Sequence, residues 1–192
     1  MMRILGIDPG LRCTGWGVIM VDGGRLQHIA NGAIQPKPTL DDASRLQIIF
    51  DGLCEVVALH QPNQAAIEQI FVAKSAGSAL RLGMARGVGI LACGVNRLGV
   101  GEISARAVKK AVAGTGNADK KQIQDMVTRL LAVTAQNADA ADALAIAIAA
   151  SNEAGTAASV GLELGKGQAT GGLSAAIAAA LARDDAGNGG KT

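Results

Sequence analysis

Short apolar runs broken by turn residues fill the first third of the chain, and helical spacing takes over after that. Ile4-Leu5-Gly6-Ile7-Asp8-Pro9-Gly10 reads as a buried strand that ends in an acid and then a turn. Gly15 to Val21 reads as a second strand, Gly23-Gly24 as a tight link, and Arg25 to Ile34 as a third strand. Links this short predict an antiparallel meander, closed by Pro36 and Pro38. Asp41 and Asp42 open a helix whose apolar face is Leu46, Ile49, Phe50, Leu53, Val56 and Val57. His60-Gln61-Pro62 ends it, since proline cannot continue a helix. Ala65 to Phe71 is the fourth strand.

A long helix is predicted from Ser75 to Leu98, with glycines at Gly77, Gly83, Gly87, Gly89 and Gly94. Each glycine inside a helix costs about 1 kcal/mol relative to alanine. Gly83 and Gly87 lie one turn apart, so one face has almost no bulk and suits close packing by the sheet or by a second subunit. Gly101 to Ile103 is a short strand, and a helix starts near Ser104. After a loop over residues 114–117, Asp119 caps a helix with Ile123, Met126, Val127, Leu130 and Leu131 on its apolar face. Asn137 to Ala150 alternates like a strand at Leu144, Ile146 and Ile148, but its length and alanine content predict a buried helix.

These elements predict an α/β domain over residues 1–152. Its mixed five-stranded sheet joins the antiparallel meander to parallel strands and is flanked by helices. Residues 153–192 are rich in Gly, Ala and Thr, and are expected to form a flexible tail with one short helix at residues 174–183. With 192 residues, 49% of them hydrophobic, the chain can bury a real core. No apolar run reads as long and continuous enough to span a bilayer, and no signal region precedes the first strand, so a cytoplasmic location is expected. Cys13, Cys54 and Cys93 form no CxxC pair, which argues against a zinc site or a disulfide framework. Net charge is only +2, and aromatic residues are 2% of the chain, too few for a broad platform that stacks single-stranded bases.

Four acids stand at telling positions. Asp8 ends the first strand, and Glu68 lies in the fourth, where alternation lets it face either way. Asp139 and Asp142 fall on one face at the start of the last helix. Taken singly, each has a structural explanation: a turn cap for Asp8, an ion pair for Glu68, an N-cap for Asp139 and dipole compensation for Asp142. Together they share apolar neighbours. Carboxylates gathered in a low dielectric repel one another unless cations join them. Two Mg²⁺ ions match four carboxylates in charge and prefer such oxygen ligands, an arrangement suited to in-line displacement at phosphorus.

Several longer motifs carry a resemblance. They are Ile4 to Gly10 with Thr14-Gly15-Trp16-Gly17, the run from Ala66 to Lys74, the run from Ser78 to Gly87, and Asp139-Ala140-Ala141-Asp142-Ala143-Leu144. In order and spacing they closely resemble the RuvC family of Holliday-junction resolvases, over residues 2 to about 150. The resemblance implies a ribonuclease-H-like fold, a homodimer, cleavage of four-way DNA junctions with two Mg²⁺ ions per site, and work alongside the RuvA-RuvB branch-migration complex. It implies metal ligation and catalysis by Asp8, Glu68, Asp139 and Asp142. It also places Phe71 beside the junction core, although a core Phe at a strand end fits the residue equally well.

Candidate DNA contacts are Phe71, Lys74, Arg81, Arg86, Lys109, Lys110, Lys120 and Lys121. Lys120 and Lys121 begin a helix, where their charge opposes the dipole, so an anion held there would relieve the conflict. A solvated basic face is the alternative for Lys109 and Lys110. Two other functions stay open at this point: a nuclease of the same fold acting on RNA, and a junction-binding module without catalysis.

Overall fold

β1 (Met2–Asp8), β2 (Thr14–Asp22) and β3 (Arg25–Ile34) form the expected antiparallel meander. Gly23 and Gly24 both take positive φ (54° and 86°), which a two-residue turn of type I′ demands and glycine meets without strain. β4 (Gln64–Glu68) pairs parallel with β1, and β5 (Val100–Ile103) pairs parallel with β4. The sheet order is β3-β2-β1-β4-β5. This computed structural model describes residues 1–69 and 75–160. Phe71, Lys74 and the expected tail helix at residues 174–183 lie outside the described residues.

Helices cover both faces. α1 (Asp42–His60) and α2 (Ala76–Val95) pack on the face of Leu5, Ile7, Val18 and Ile67. α3 (Ala105–Ala113), α4 (Lys120–Leu131) and α5 (Ala138–Val160) pack on the face of Ile4, Ile19 and Ala66. Side-chain caps start four of them: Asp41, Ser75, Ser104 and Asp119 each accept a backbone N–H of the first turn. Asp119 and Gln122 complete a capping box. The last helix runs to Val160, ten residues past its expected end, and β4 ends at Glu68 rather than Phe71.

α5 is the central helix. From Ala140 to Ala150 every residue is buried except Asp142. Its contact with the sheet is nearly backbone on backbone. A Cβ at Gly6 would overlap the Ala143 carbonyl, one at Gly15 the Asp139 carbonyl, and one at Gly17 the Leu144 side chain. Gly6 and Gly17 are directly paired across β1 and β2, so together they open a trough for the helix.

α2 resolves the question of its glycines. Gly89 meets Ile67 and Ile7 of the sheet, whereas a Cβ at Gly83, Gly87 or Gly94 would meet nothing. The Gly83–Gly87 face therefore does not pack on the sheet. It points outward with Leu80, Leu91 and Val95, all more than half exposed. By length and mean hydropathy (1.3), α2 is also apolar enough to cross a bilayer, contrary to the sequence expectation, because its glycines and alanines do not break the average. In the fold its other face is buried on α1 and the sheet through Ala85, Gly89, Ala92 and Cys93.

Gly6→Ala is expected to cost about 3 kcal/mol or more, since backbone rather than a flexible side chain must move. Urea unfolding of the variant against wild type measures this.

Candidate active site

The parallel register decides which way Glu68 faces. Ile7 pairs with Ile67, so Asp8 and Glu68 end neighbouring strands side by side. Strand alternation puts Asp8 on the side of Gly6 and Glu68 on the side of Ala66, the face covered by α5. Asp139 and Asp142 come from the first turns of α5. The Asn137 side chain accepts the Ala140 N–H at 2.8 Å, so Asn137 is the cap and Asp139 is free of that role.

The four carboxylates feel one another. Asp8 is raised from the usual carboxylate range to about 7, first by burial and then by Asp142, Glu68 and Asp139. Glu68 is raised by burial and Asp142. Asp142 is raised by burial, with Lys120 pulling the other way. The Lys120 ammonium donates to Asp142 at 2.7 Å, and this contact holds its proton more tightly. The anion that answers the charge at the start of α4 is thus a carboxylate of the protein itself.

Asp8, Glu68, Asp142, Lys109 and Lys120 line a cavity of about 220 Å³. Asp139 lies in the wall of a neighbouring cleft, beside Cys13. Burial and Asp139 push the Cys13 thiol up to about 11, so it stays protonated and donates to that carboxylate. Gln35 in turn donates to the Cys13 sulfur at 3.5 Å.

The other expected DNA contacts divide. Lys109 lines the cavity, while Lys110 and Lys121 are exposed beside it on α3 and α4. Arg81 is exposed at the neighbouring cleft. Arg86 is engaged by the protein: its guanidinium pairs with Glu102 at 2.7 Å and donates to the Glu68 carbonyl at 3.3 Å. It fixes the end of β4 that carries the acid, a role the sequence reading did not assign. Arg12 and Lys37, which that reading also passed over, line the neighbouring cleft.

The oxygen-only donor set suits a hard divalent cation in kind and in charge. Among the described residues no three of these acids stand ready-made around one ion, and Lys120 occupies one Asp142 oxygen.

Residues 4–150 match the family described as Crossover junction endodeoxyribonuclease RuvC. The chain belongs to the RuvC family. Among relatives of that name, the Zymomonas mobilis protein is 52% identical over 148 residues, covering 77% of this chain and 89% of the relative. The protein from Caulobacter sp. strain K31 is 50% identical over 152 residues, 79% and 90% of the two chains. The Thermus thermophilus RuvC structure in complex with a Holliday junction substrate superposes with a TM-score of 0.76 at 29% identity, covering 80% of this chain and 95% of that one. The expected ribonuclease-H-like α/β fold agrees with this family and with the mixed sheet described above.

In EDTA, stability is expected to fall as pH rises from about 4 to about 7. The folded chain keeps the Asp8 proton up to about 7 while the unfolded chain releases it near 3.8, so the folded state binds more protons across that window. The loss is on the order of 3–4 kcal/mol. Thermal melts check it: Asp8→Asn should flatten the slope and raise the Tm at pH 8.

Proposed function

We propose that this chain is a structure-selective endonuclease that resolves Holliday junctions by hydrolysing phosphodiester bonds symmetrically during recombination and DNA repair. The observation that carries this reading is the meeting of Asp8, Glu68 and Asp142 with Lys109 and Lys120 around one small cavity, in a chain of the RuvC family. Buried carboxylates that raise one another's proton affinity store an electrostatic cost, and a bound dication removes it.

Asp8, Glu68, Asp139 and Asp142 would hold two Mg²⁺ ions. Bound there, the ions supply Lewis acidity toward a phosphate oxygen and a water of lowered pKa. The chain's own groups do the rest. The walls of the cavity hold the phosphate close to the acids, and Lys109 brings a cationic group to the same cavity. Lys120 stands against Asp142 and keeps its charge. Lys110, Lys121, Arg81 and Lys74 are read as contacts to flanking DNA, and Phe71 as the aromatic beside the junction core. Phosphate contacts set register, so choice of a junction falls to its shape and deformability.

Two symmetric nicks need two identical sites related by a two-fold axis, which a homodimer supplies. The outward face of α2 is the interface in this reading. Gly83, Gly87, Leu91 and Val95 step along it at four-residue intervals, and the glycines allow close approach of a second helix. The chain acts in the cytoplasm, where a branch-migration complex of the RuvA-RuvB kind would deliver the junction.

A synthetic four-way junction tests the catalytic reading. Wild type should cut it with Mg²⁺ and not in EDTA. Asp142→Asn should still bind it, yet cut at least about a thousandfold more slowly. Intact binding without cutting by wild type would leave only a binding module. Gly87→Trp tests the dimer: light scattering should report a folded monomer where wild type is a dimer, and a dimeric variant would reject α2 as the interface.

A further inference from the structure

We propose that a second cleft, bordered by Arg12, Lys37 and Arg81, carries the DNA strand past the carboxylates and binds its backbone phosphates on the side away from Lys109 and Lys120. This rests on the nuclease reading above and adds a strand path to it. The cleft measures about 920 Å³ and forms where five segments meet: the turn after β1, the Gln35–Pro38 connection, α1 at Arg45, α2 at Ser78 to Leu82 and α5 at Asp139. Asp139 stands in its wall, while the other three acids line the smaller cavity. Asp139 is near enough to Asp8 and Asp142 to raise both, so the two spaces lie beside one group of acids and offer a strand crossing them cations on either hand.

The charge in this cleft is unanswered. Arg12, Lys37 and Arg81 are exposed, and among the described residues none has an ion pair or a side-chain hydrogen bond. At the floor, Arg45 donates to the Leu11 carbonyl at 3.0 Å, and Asp42 stands 3.6 Å away. Its Nε is buried without a partner. Arg45, its charge met by Asp42, fixes the turn that presents Arg12. Lys37 sits between Pro36 and Pro38, whose rings restrict the backbone on both sides of it. Cations held on stiff segments around one cleft lose little freedom when an anion arrives.

Among the described residues that line the cleft none is aromatic, and the charged ones are mainly cations. Its chemistry selects phosphodiester oxygens, with arginine suited to paired hydrogen bonds. Such contacts give affinity and register and leave sequence unread.

The double variant Arg12→Ala/Lys37→Ala, made in the Asp142→Asn chain so that the junction stays whole, tests the proposal. Binding of a synthetic four-way junction is followed by fluorescence anisotropy across a salt series, with circular dichroism to check folding. Loss of two phosphate contacts should weaken binding about tenfold or more and make the slope of log K against log salt shallower by about 2. Arg12→Lys/Lys37→Arg should restore the slope. Ethylation of phosphates on one side of the cut position should weaken the parent chain and leave the double variant unaffected. An unchanged slope with junction binding intact overturns the cleft and leaves the nuclease standing. A parent chain that binds no junction, with a wild type that cuts none in Mg²⁺, overturns both.

Discussion

The approach of α5 to the sheet is set by three missing side chains. Gly6, Gly15 and Gly17 leave room for the helix backbone, and the helix answers with alanines at Ala140, Ala143 and Ala147. Small residues on both surfaces place the helix axis unusually near the strands, where many weak dispersion contacts form at once. The functional consequence is one of reach. Aspartate has a short side chain, so Asp142 can share a pocket with Asp8 only if its helix lies this close. A methyl group at Gly6 would lift α5 and draw the acids apart, so stability and chemistry depend on the same contact.

That contact works against electrostatics. Burial and like charge push Asp8 to about 7 and raise Glu68 and Asp142 as well. Apolar packing along α5 supplies the free energy that holds these groups together, and Lys120 relieves part of the repulsion through Asp142. In the proposed reading such a site would bind cations because the fold has already met the cost of assembling the ligands. Arg86 contributes from behind. By bridging the Glu68 carbonyl and Glu102 it ties β4 to β5, so the strand end cannot retreat from the acids.

Much of this was legible in the amino-acid pattern. Turn and cap residues marked the strands and helices, and the apolar settings of Asp8, Glu68, Asp139 and Asp142 marked the acids. What stayed hidden depends on pairing between distant segments. Which way Glu68 faces follows from the Ile7–Ile67 register, a property of two strands at once. Asp139 and Asn137 are both good caps by residue type, and only the helix start separates them. A helical projection shows that Gly83 and Gly87 share a face but not what that face meets. Arg12 and Lys37 come from turns, where no period exists to group them, and their convergence arises from the packing of α1 and α2 beside the meander.

α2 ties these regions together. Its inner face reaches the sheet through Gly89, and Arg86 on the same helix holds the end of β4. Arg81, one turn earlier, borders the second cleft. The outer face, with Gly83 and Gly87, is the one proposed to meet a second subunit. A helix packed on both sides transmits position with little slack, because a close-packed interior resists deformation. The separation of two cutting sites in a dimer would then be fixed by a single rigid element, and the junction would have to adapt its shape to that separation. Selectivity for a deformable four-way structure over plain duplex would then follow from the geometry of such a dimer, with no need to read a base.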